Sequence, residues 1–181
     1  MITAAYADPP YIGQAKRHYA NDPKCAEVDH LTLISRLDRD YNAWALSLSS
    51  PTLRRLLPLC PDGVRVGAWI KPFCSFKPNV NPAFAWEPLI FKTARKRTRE
   101  QPTVSDFVSA NITLQKGTHG AKPKEFCFWL FEILNLKPGD VFHDLFPGSG
   151  AVSDAWDLWC RQFSLELGQP VNNEQPTLLL R

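Results

Sequence analysis

The chain opens on Met1-Ile2-Thr3-Ala4-Ala5-Tyr6-Ala7, an apolar run of strand length that Asp8-Pro9-Pro10-Tyr11 brings to a stop, because proline cannot continue a ladder of hydrogen bonds. From Asp29 to Leu37 the period changes. Apolar residues at 31, 33, 34 and 37 predict a helix, with Asp29 as its cap. Trp44 to Leu48 reads as a short buried strand, and Ser50 to Leu57 as a helix with Pro51 in its first turn. Val64 to Ile70 alternates as a strand, and Trp86 to Lys92 is another, expected to return antiparallel. Gly120 to Phe126 opens an amphipathic helix. Val141 to Asp144 then forms an apolar stretch ending in an acid and the glycine turn Gly148-Ser149-Gly150, followed by helical spacing from Ala151 to Gln162. Gln162 to Leu167 reads as one more strand, and the tail 168–181, with its prolines, asparagines and glutamines, as a loose end. Strands alternating with helices of these lengths predict an α/β domain with a mostly parallel sheet and one antiparallel strand.

Composition narrows the class. At 181 residues the chain is expected to form one domain with a proper core, and 44% hydrophobic with 22% charged residues is globular. No apolar run approaches the roughly 18 residues a membrane helix needs, and the N-terminus lacks a basic region followed by an apolar segment. The five cysteines, Cys25, Cys60, Cys74, Cys127 and Cys160, are scattered without a Cys-x-x-Cys pair. They read as reduced thiols in a cytoplasm, with neither a zinc site nor a disulfide framework indicated. No spacing among His30, His119 and His143 suggests a metal, and they read as structural histidines.

Two segments carry chemistry. In the first, Asp8 supplies acceptor oxygens, Pro9 a carbonyl without a competing N–H, the prolines a fixed path, and Tyr11 a ring on which a flat base can stack. The same tetrapeptide also suits a plain turn at a strand end. In the second, strand, glycine turn and helix form the arrangement that accepts a nucleotide-like cofactor, the helix N-terminus offering free N–H groups. Gly148-Ser149-Gly150 lacks the third glycine of the dinucleotide fingerprint and no second βαβ half follows, so an ordinary strand-to-helix turn is the competing reading.

Together, Asp8-Pro9-Pro10-Tyr11 and Asp144-x-Phe146-x-Gly148-x-Gly150 resemble the catalytic and cofactor motifs of amino-methyltransferases that act on adenine or cytosine in nucleic acids. Their order, catalytic tetrapeptide first and cofactor loop last, is similar to the circularly permuted β-class, and Lys122-Pro123 lies where that family carries a Lys-Pro segment flanking the cofactor. The resemblance spans nearly the whole chain. It implies a Rossmann-like methyltransferase sheet, circularly permuted and shortened at the C-terminus, of a compact bacterial or phage form, with residues 1–92 as the catalytic half and 120–167 as the cofactor half. It further implies S-adenosylmethionine as cofactor, held by Asp144, Phe146, Gly148, Ser149, Gly150, Lys122 and Pro123. Glu166, at the end of the expected last strand, would take ribose hydroxyls or simply face solvent. The implied reaction is direct methylation of the N6 amine of a flipped adenine in DNA, with no covalent intermediate and no role for a cysteine. The Asp form of the tetrapeptide resembles adenine enzymes more than cytosine N4 ones. RNA as substrate, and a non-catalytic subunit that binds cofactor or nucleic acid, are the alternatives.

The remaining expectations concern the partner. Lys16 and Arg17 follow the catalytic turn and could clamp phosphates or line a solvated loop. Lys92, Arg95, Lys96, Arg97 and Arg99 concentrate positive charge in a chain whose net charge is only +3, and with nucleic acid implied they read as phosphate contacts within a variable loop, 93–119. Residues 100–119 show no periodicity and are expected to order on DNA. Between Trp69 and Pro78, Trp69 reads as core, while Lys71 and Phe73 could serve either the base pocket or solvent. With no room for a separate recognition domain, a short or relaxed target site is expected unless a homodimer or partner subunit supplies the reading surface.

Overall fold

A computed structural model describes residues 1–12, 28–73, 78–112 and 121–166. Six strands form one sheet: β1 (Thr3–Ala7), β2 (Ala43–Ser47), β3 (Arg65–Ile70), β4 (Trp86–Lys92), β5 (Phe107–Ser109) and β6 (Val141–Asp144), in the order β5-β3-β4-β2-β1-β6. β1 pairs parallel with both β2 and β6, β3 pairs parallel with β5, and β4 alone runs against its neighbours β2 and β3. This is the mixed α/β, Rossmann-like sheet that the sequence predicts, with its single antiparallel strand.

Alternation along the strands sorts side chains between two helical layers. On one face Ala5, Ala7, Trp44, Leu46 and Ile90 pack with Leu33, Ile34 and Leu37 of α1 (His30–Asp40) and Leu56 of α2 (Ser50–Leu56). On the other, Ala4, Tyr6, Ala43, Ala45, Leu89 and Phe91 lie under α3 (Lys124–Ile133) and α4 (Ala151–Glu166). α1 begins where the sequence places it. Asp29 Oδ1 accepts from the amides of Leu31 and Thr32 at 3.0 and 3.3 Å, satisfying two otherwise free N–H groups of the first turn. Between α3, α4 and β6, the rings of Phe131, Phe142, Trp156 and Trp159 interlock, with the two tryptophans stacked at 5.3 Å.

Two expectations are corrected. Gln162 to Glu166 does not begin a strand but continues α4, and Leu167 lies outside the described residues. Val152, Ala155 and Trp159 are buried at helical spacing, Trp156 and Phe163 extend the same stripe, and neither glycine nor proline interrupts it before Gly168. Glu166 therefore stands on a helix and not at a strand end, which removes the basis for its ribose role, and β6 is the sheet edge among the described residues. The second correction concerns residues 100–112. They contain β5, and side chains from the core fasten them, with Trp129 Nε1 donating to Ser105 O at 2.9 Å and Trp69 Nε1 to Ala110 O at 2.8 Å. Gly67 makes this possible, because a Cβ there would lie 2.9 Å from Asp106 O and 3.1 Å from the Trp129 ring.

Candidate functional site

Parallel pairing of β1 with β6 puts Tyr6 opposite Asp144, so the segments that leave the two strands, Asp8-Pro9-Pro10-Tyr11 and Leu145 to Gly150, emerge side by side at the carboxyl end of the sheet. Ligands of open α/β sheets bind at this end. The antiparallel course of β4 brings its first residues to the same place. Glu87 thus joins the group, and the segment that follows β3 adds Lys71. Lys122 arrives from the turn before α3, where Pro123 is the N-cap.

These groups form a chain of alternating charge. Lys122 Nζ lies 3.0 Å from Asp8 Oδ2 and 3.2 Å from Glu87 Oε2, and Lys71 Nζ pairs with Glu87 Oε1. Lys122 is only 8% exposed, whereas the Asp8 side chain keeps 24%, so the acid is the member that can meet a substrate. Trp69 is core, as expected, and its ring also serves the site: Lys71 Nζ lies 4.7 Å and Lys122 Nζ 5.2 Å from its centroid. Beneath, the buried Tyr6 hydroxyl pairs with Ser47 Oγ at 2.8 Å.

The electrostatics follow from burial and pairing. Burial pushes the Asp8 carboxyl above its usual range, against the pull of Lys122. Burial also raises Glu87, but Lys122 and Lys71 together outweigh it and leave that carboxyl below the usual range. For Lys122, burial favours the neutral form, yet the carboxylates of Asp8 and Glu87 hold the ammonium charged. Tyr11 and Tyr6 are pushed well up, mainly by burial, and so stay neutral phenols. Burial likewise carries the thiols of Cys127 and Cys160 up to about 12 and Cys60 to about 11, which leaves none of these three a thiolate at neutral pH.

In the glycine loop, Asp144 Oδ1 accepts from Phe146 N at 3.3 Å, while Oδ2 is buried with no hydrogen-bond partner among the described residues. Burial, with Asp8 adding like charge, raises this carboxyl. Gly148 and Gly150 adopt φ of +48° and +80°, the left-handed region, and Gly150 N donates to Pro147 O at 2.6 Å. A Cβ at Gly150 would meet nothing within 4 Å and one at Gly148 only Phe146 O at 3.9 Å, so the loop borders open space. Phe146 packs against the α1-side core, and Ser149 is exposed.

The fold is similar to that of M1.HpyAVI. A crystal structure of the M1.HpyAVI–SAM complex superposes with a TM-score of 0.58 at 16% identity, covering 90% of this chain and 78% of the other. A second M1.HpyAVI structure gives 0.55 at 13% identity, over 88% and 76%. No protein-family model and no curated protein matches the sequence.

The structure thus gathers Asp8, Pro9, Pro10, Tyr11, Lys122 and Asp144 with the glycine loop at one end of the sheet. Lys122, which the resemblance sets beside the cofactor, pairs with Asp8 and Glu87. Glu87 escaped sequence reasoning, since its place depends on the reversed direction of β4; the available signal was one acid in an otherwise apolar strand. Arg95 and Arg97 are corrected. Their guanidinium groups are held internally at the opposite end of the sheet, Arg95 by both oxygens of Asp140 at 2.9 and 3.1 Å, Arg97 by Glu132 Oε2 at 3.1 Å and Pro102 O at 3.0 Å. Lys96 and Arg99 are exposed, whereas Lys16, Arg17 and His119 lie outside the described residues. Among the described histidines, His30 Nδ1 bonds Val28 O and His143 Nδ1 bonds the Tyr41 hydroxyl.

Proposed function

We propose that this protein transfers a methyl group from S-adenosylmethionine to the exocyclic N6 amine of a flipped adenine in DNA. The observation that carries the reading is that Asp8, just past the end of β1, and Asp144, the last residue of the neighbouring parallel β6, stand side by side at the carboxyl end of the sheet, Asp144 at the root of a glycine turn opening α4. The residues present fit the cofactor. Asp144 Oδ2 is a buried acceptor without a partner among the described residues, suited to an ammonium, and the left-handed Gly148 and Gly150 frame open space before a helix N-terminus. When bound, the cofactor supplies an electrophilic methyl group on a sulfonium.

This chain's own residues do the rest. Lys122 occupies Oδ2 of Asp8, and we assign the other oxygen, together with the Pro9 carbonyl, to the target amine as hydrogen-bond acceptors. Accepting both amine hydrogens turns the nitrogen lone pair out of the plane of the base, toward the incoming methyl group. Tyr11, kept neutral, offers its face for stacking, and the prolines hold the acceptors still, which is how orientation lowers a barrier of this kind. Proton release follows transfer, with Asp8 as first acceptor. Lys16 and Arg17 follow the catalytic turn in sequence, Lys96 and Arg99, exposed beside Arg95 at the far end of the sheet, would meet phosphates of a duplex that runs on past the site, and a homodimer or partner subunit would supply sequence recognition. The reading is tested with labelled S-adenosylmethionine and DNA and RNA oligonucleotides in parallel. Label in N6-methyladenine of DNA is the expected result; label in N4-methylcytosine or only in RNA corrects the substrate, and no transfer to either rejects the activity.

A further inference from the structure

The four charges at the site come from four separate parts of the chain: Asp8 after β1, Lys71 after β3, Glu87 within β4 and Lys122 before α3. Lys122 is their hinge. Its ammonium lies over the rings of Trp69 and Phe126, 5.2 and 5.7 Å from their centroids, and reaches both Asp8 and Glu87. Two carboxylates that share one cation compete for it, and without the cation like charge would drive one of them to bind a proton. The consequence falls on Asp8, because Lys71 independently secures Glu87. A protonated Asp8 has one oxygen turned into a donor, which opposes an amine that also donates.

We propose that Lys122 is a positioning residue for the reaction, fixing one oxygen of Asp8 and keeping the carboxylate ionised so that the other oxygen accepts from the substrate amine, while Glu87 and Lys71 set how much of the Lys122 charge Asp8 receives. The inference rests on the methyl-transfer reading for the identity of the amine; the charge coupling itself does not. Tyr6 and Tyr11 also face this group, but both are pushed well up and stay neutral. Cys127, raised to about 12, is neutral as well, and Asp144 adds negative charge next to Asp8. Burial already raises Asp8 with Lys122 in place, and Lys122 is the largest influence that pulls it back down, so loss of that ammonium raises it further.

Opposite signs in two variants test the proposal. The rate of methyl transfer against pH is measured for the wild type, Lys122→Met, Lys122→Arg and Glu87→Gln, beside a carbon-13 NMR titration of the Asp8 carboxyl without substrate. Lys122→Met moves the acid limb, and the NMR titration, upward by about one to three pH units, with activity recovering on the alkaline side. Lys122→Arg returns the limb toward the wild-type position. Glu87→Gln moves it downward, because Asp8 then has the ammonium to itself. A uniform drop in rate with an unmoved limb and an unmoved titration in Lys122→Met overturns the proposal, as does an upward shift in Glu87→Gln. If Lys122→Met does not fold, the signs in Lys122→Arg and Glu87→Gln decide. If the wild type transfers no methyl, the titration still reads the coupling, so failure of the activity and failure of the inference are told apart.

Discussion

Arg95→Met separates a structural arginine from a nucleic-acid contact. Arg95 grips Asp140 with two hydrogen bonds and donates to Asn135 O at 2.7 Å, and the Asp140 side chain is only 3% exposed. Asp140 in turn accepts from the amides of Ile2 and Lys137, each at 2.9 Å, tying the start of β1 to the turn before β6. Removing the cation leaves a buried carboxylate with two amides but no countercharge. Breaking a buried pair in this way costs about 3–5 kcal/mol, a large share of the roughly 5–15 kcal/mol that holds a domain folded. At about 2–4 °C per kcal/mol for a chain of this size, Tm should fall by roughly 6–20 °C. The pH dependence has a fixed sign. Burial raises Asp140, but Arg95 and the amides outweigh it and hold its folded pKa low, so its stabilisation is present above the unfolded carboxylate range and is lost as pH falls through the folded pKa. The Tm gap between wild type and Arg95→Met should therefore be widest near neutral pH and narrow toward acid. Adding Asp140→Asn, which keeps an acceptor and removes the charge, should recover part of the loss. Thermal unfolding by circular dichroism from about pH 2 to pH 8, which takes in the acid side of the ordinary carboxylate range where the loss falls, provides the measurement. A Tm within about 2 °C of wild type, or a gap that widens toward acid, refutes this account of Arg95.

Other outcomes follow from the same geometry. Gly148→Val forces a β-branched residue to φ near +48° in the cofactor loop, and calorimetry should show S-adenosylmethionine affinity reduced while the fold persists; unchanged affinity in a folded variant places the cofactor elsewhere. Gly67→Ala drives a Cβ into Asp106 O and the Trp129 ring, costing about 1–3 kcal/mol, so amide exchange at Phe107 to Ser109 should accelerate before that of β1; equal protection to wild type contradicts the close packing. Replacing Lys96 and Arg99 by glutamine should weaken DNA binding on all sequences alike and flatten its salt dependence without moving Tm, and a full salt slope in that variant removes them from the interface.

Most of the sheet was legible because its strands are local events. Thr3–Ala7, Ala43–Ser47 and Trp86–Lys92 are runs whose burial shows in their composition, Arg65–Ile70 shows itself by alternation, and Asp29 and Pro51 mark helix starts through hydrogen bonds and dihedrals fixed within a few residues. β5 was not legible. Its three residues are exposed or half-buried, and what makes them a strand is pairing with β3, permitted by Gly67 far away in the sequence. The false strand at Gln162 arose from a short apolar run that fits either period; the aromatic stripe from Trp156 to Phe163, packed on α3, decides for helix. In the site, Asp8 and the glycine loop announced themselves because each is contiguous. The acid–lysine chain did not, since Lys71, Glu87 and Lys122 converge only when β4 runs backwards and α3 begins over the sheet. A cluster of arginines such as Arg95 and Arg97 looks the same in sequence whether it meets phosphates or fastens a loop to buried carbonyls and acids.

The central claim, that Asp8 orients an amine for direct methyl transfer, is tested most directly by comparing wild type with Asp8→Ala for transfer of labelled methyl from S-adenosylmethionine to DNA, with cofactor affinity measured on the same samples. Loss of an acceptor that works in the transition state costs roughly 2.7–4 kcal/mol, or about 10²–10³ in rate. We predict that loss or a larger one in Asp8→Ala, with cofactor affinity within a few-fold of wild type because Asp144 and the glycine loop are untouched. Turnover near the wild-type rate in a folded Asp8→Ala variant contradicts the account.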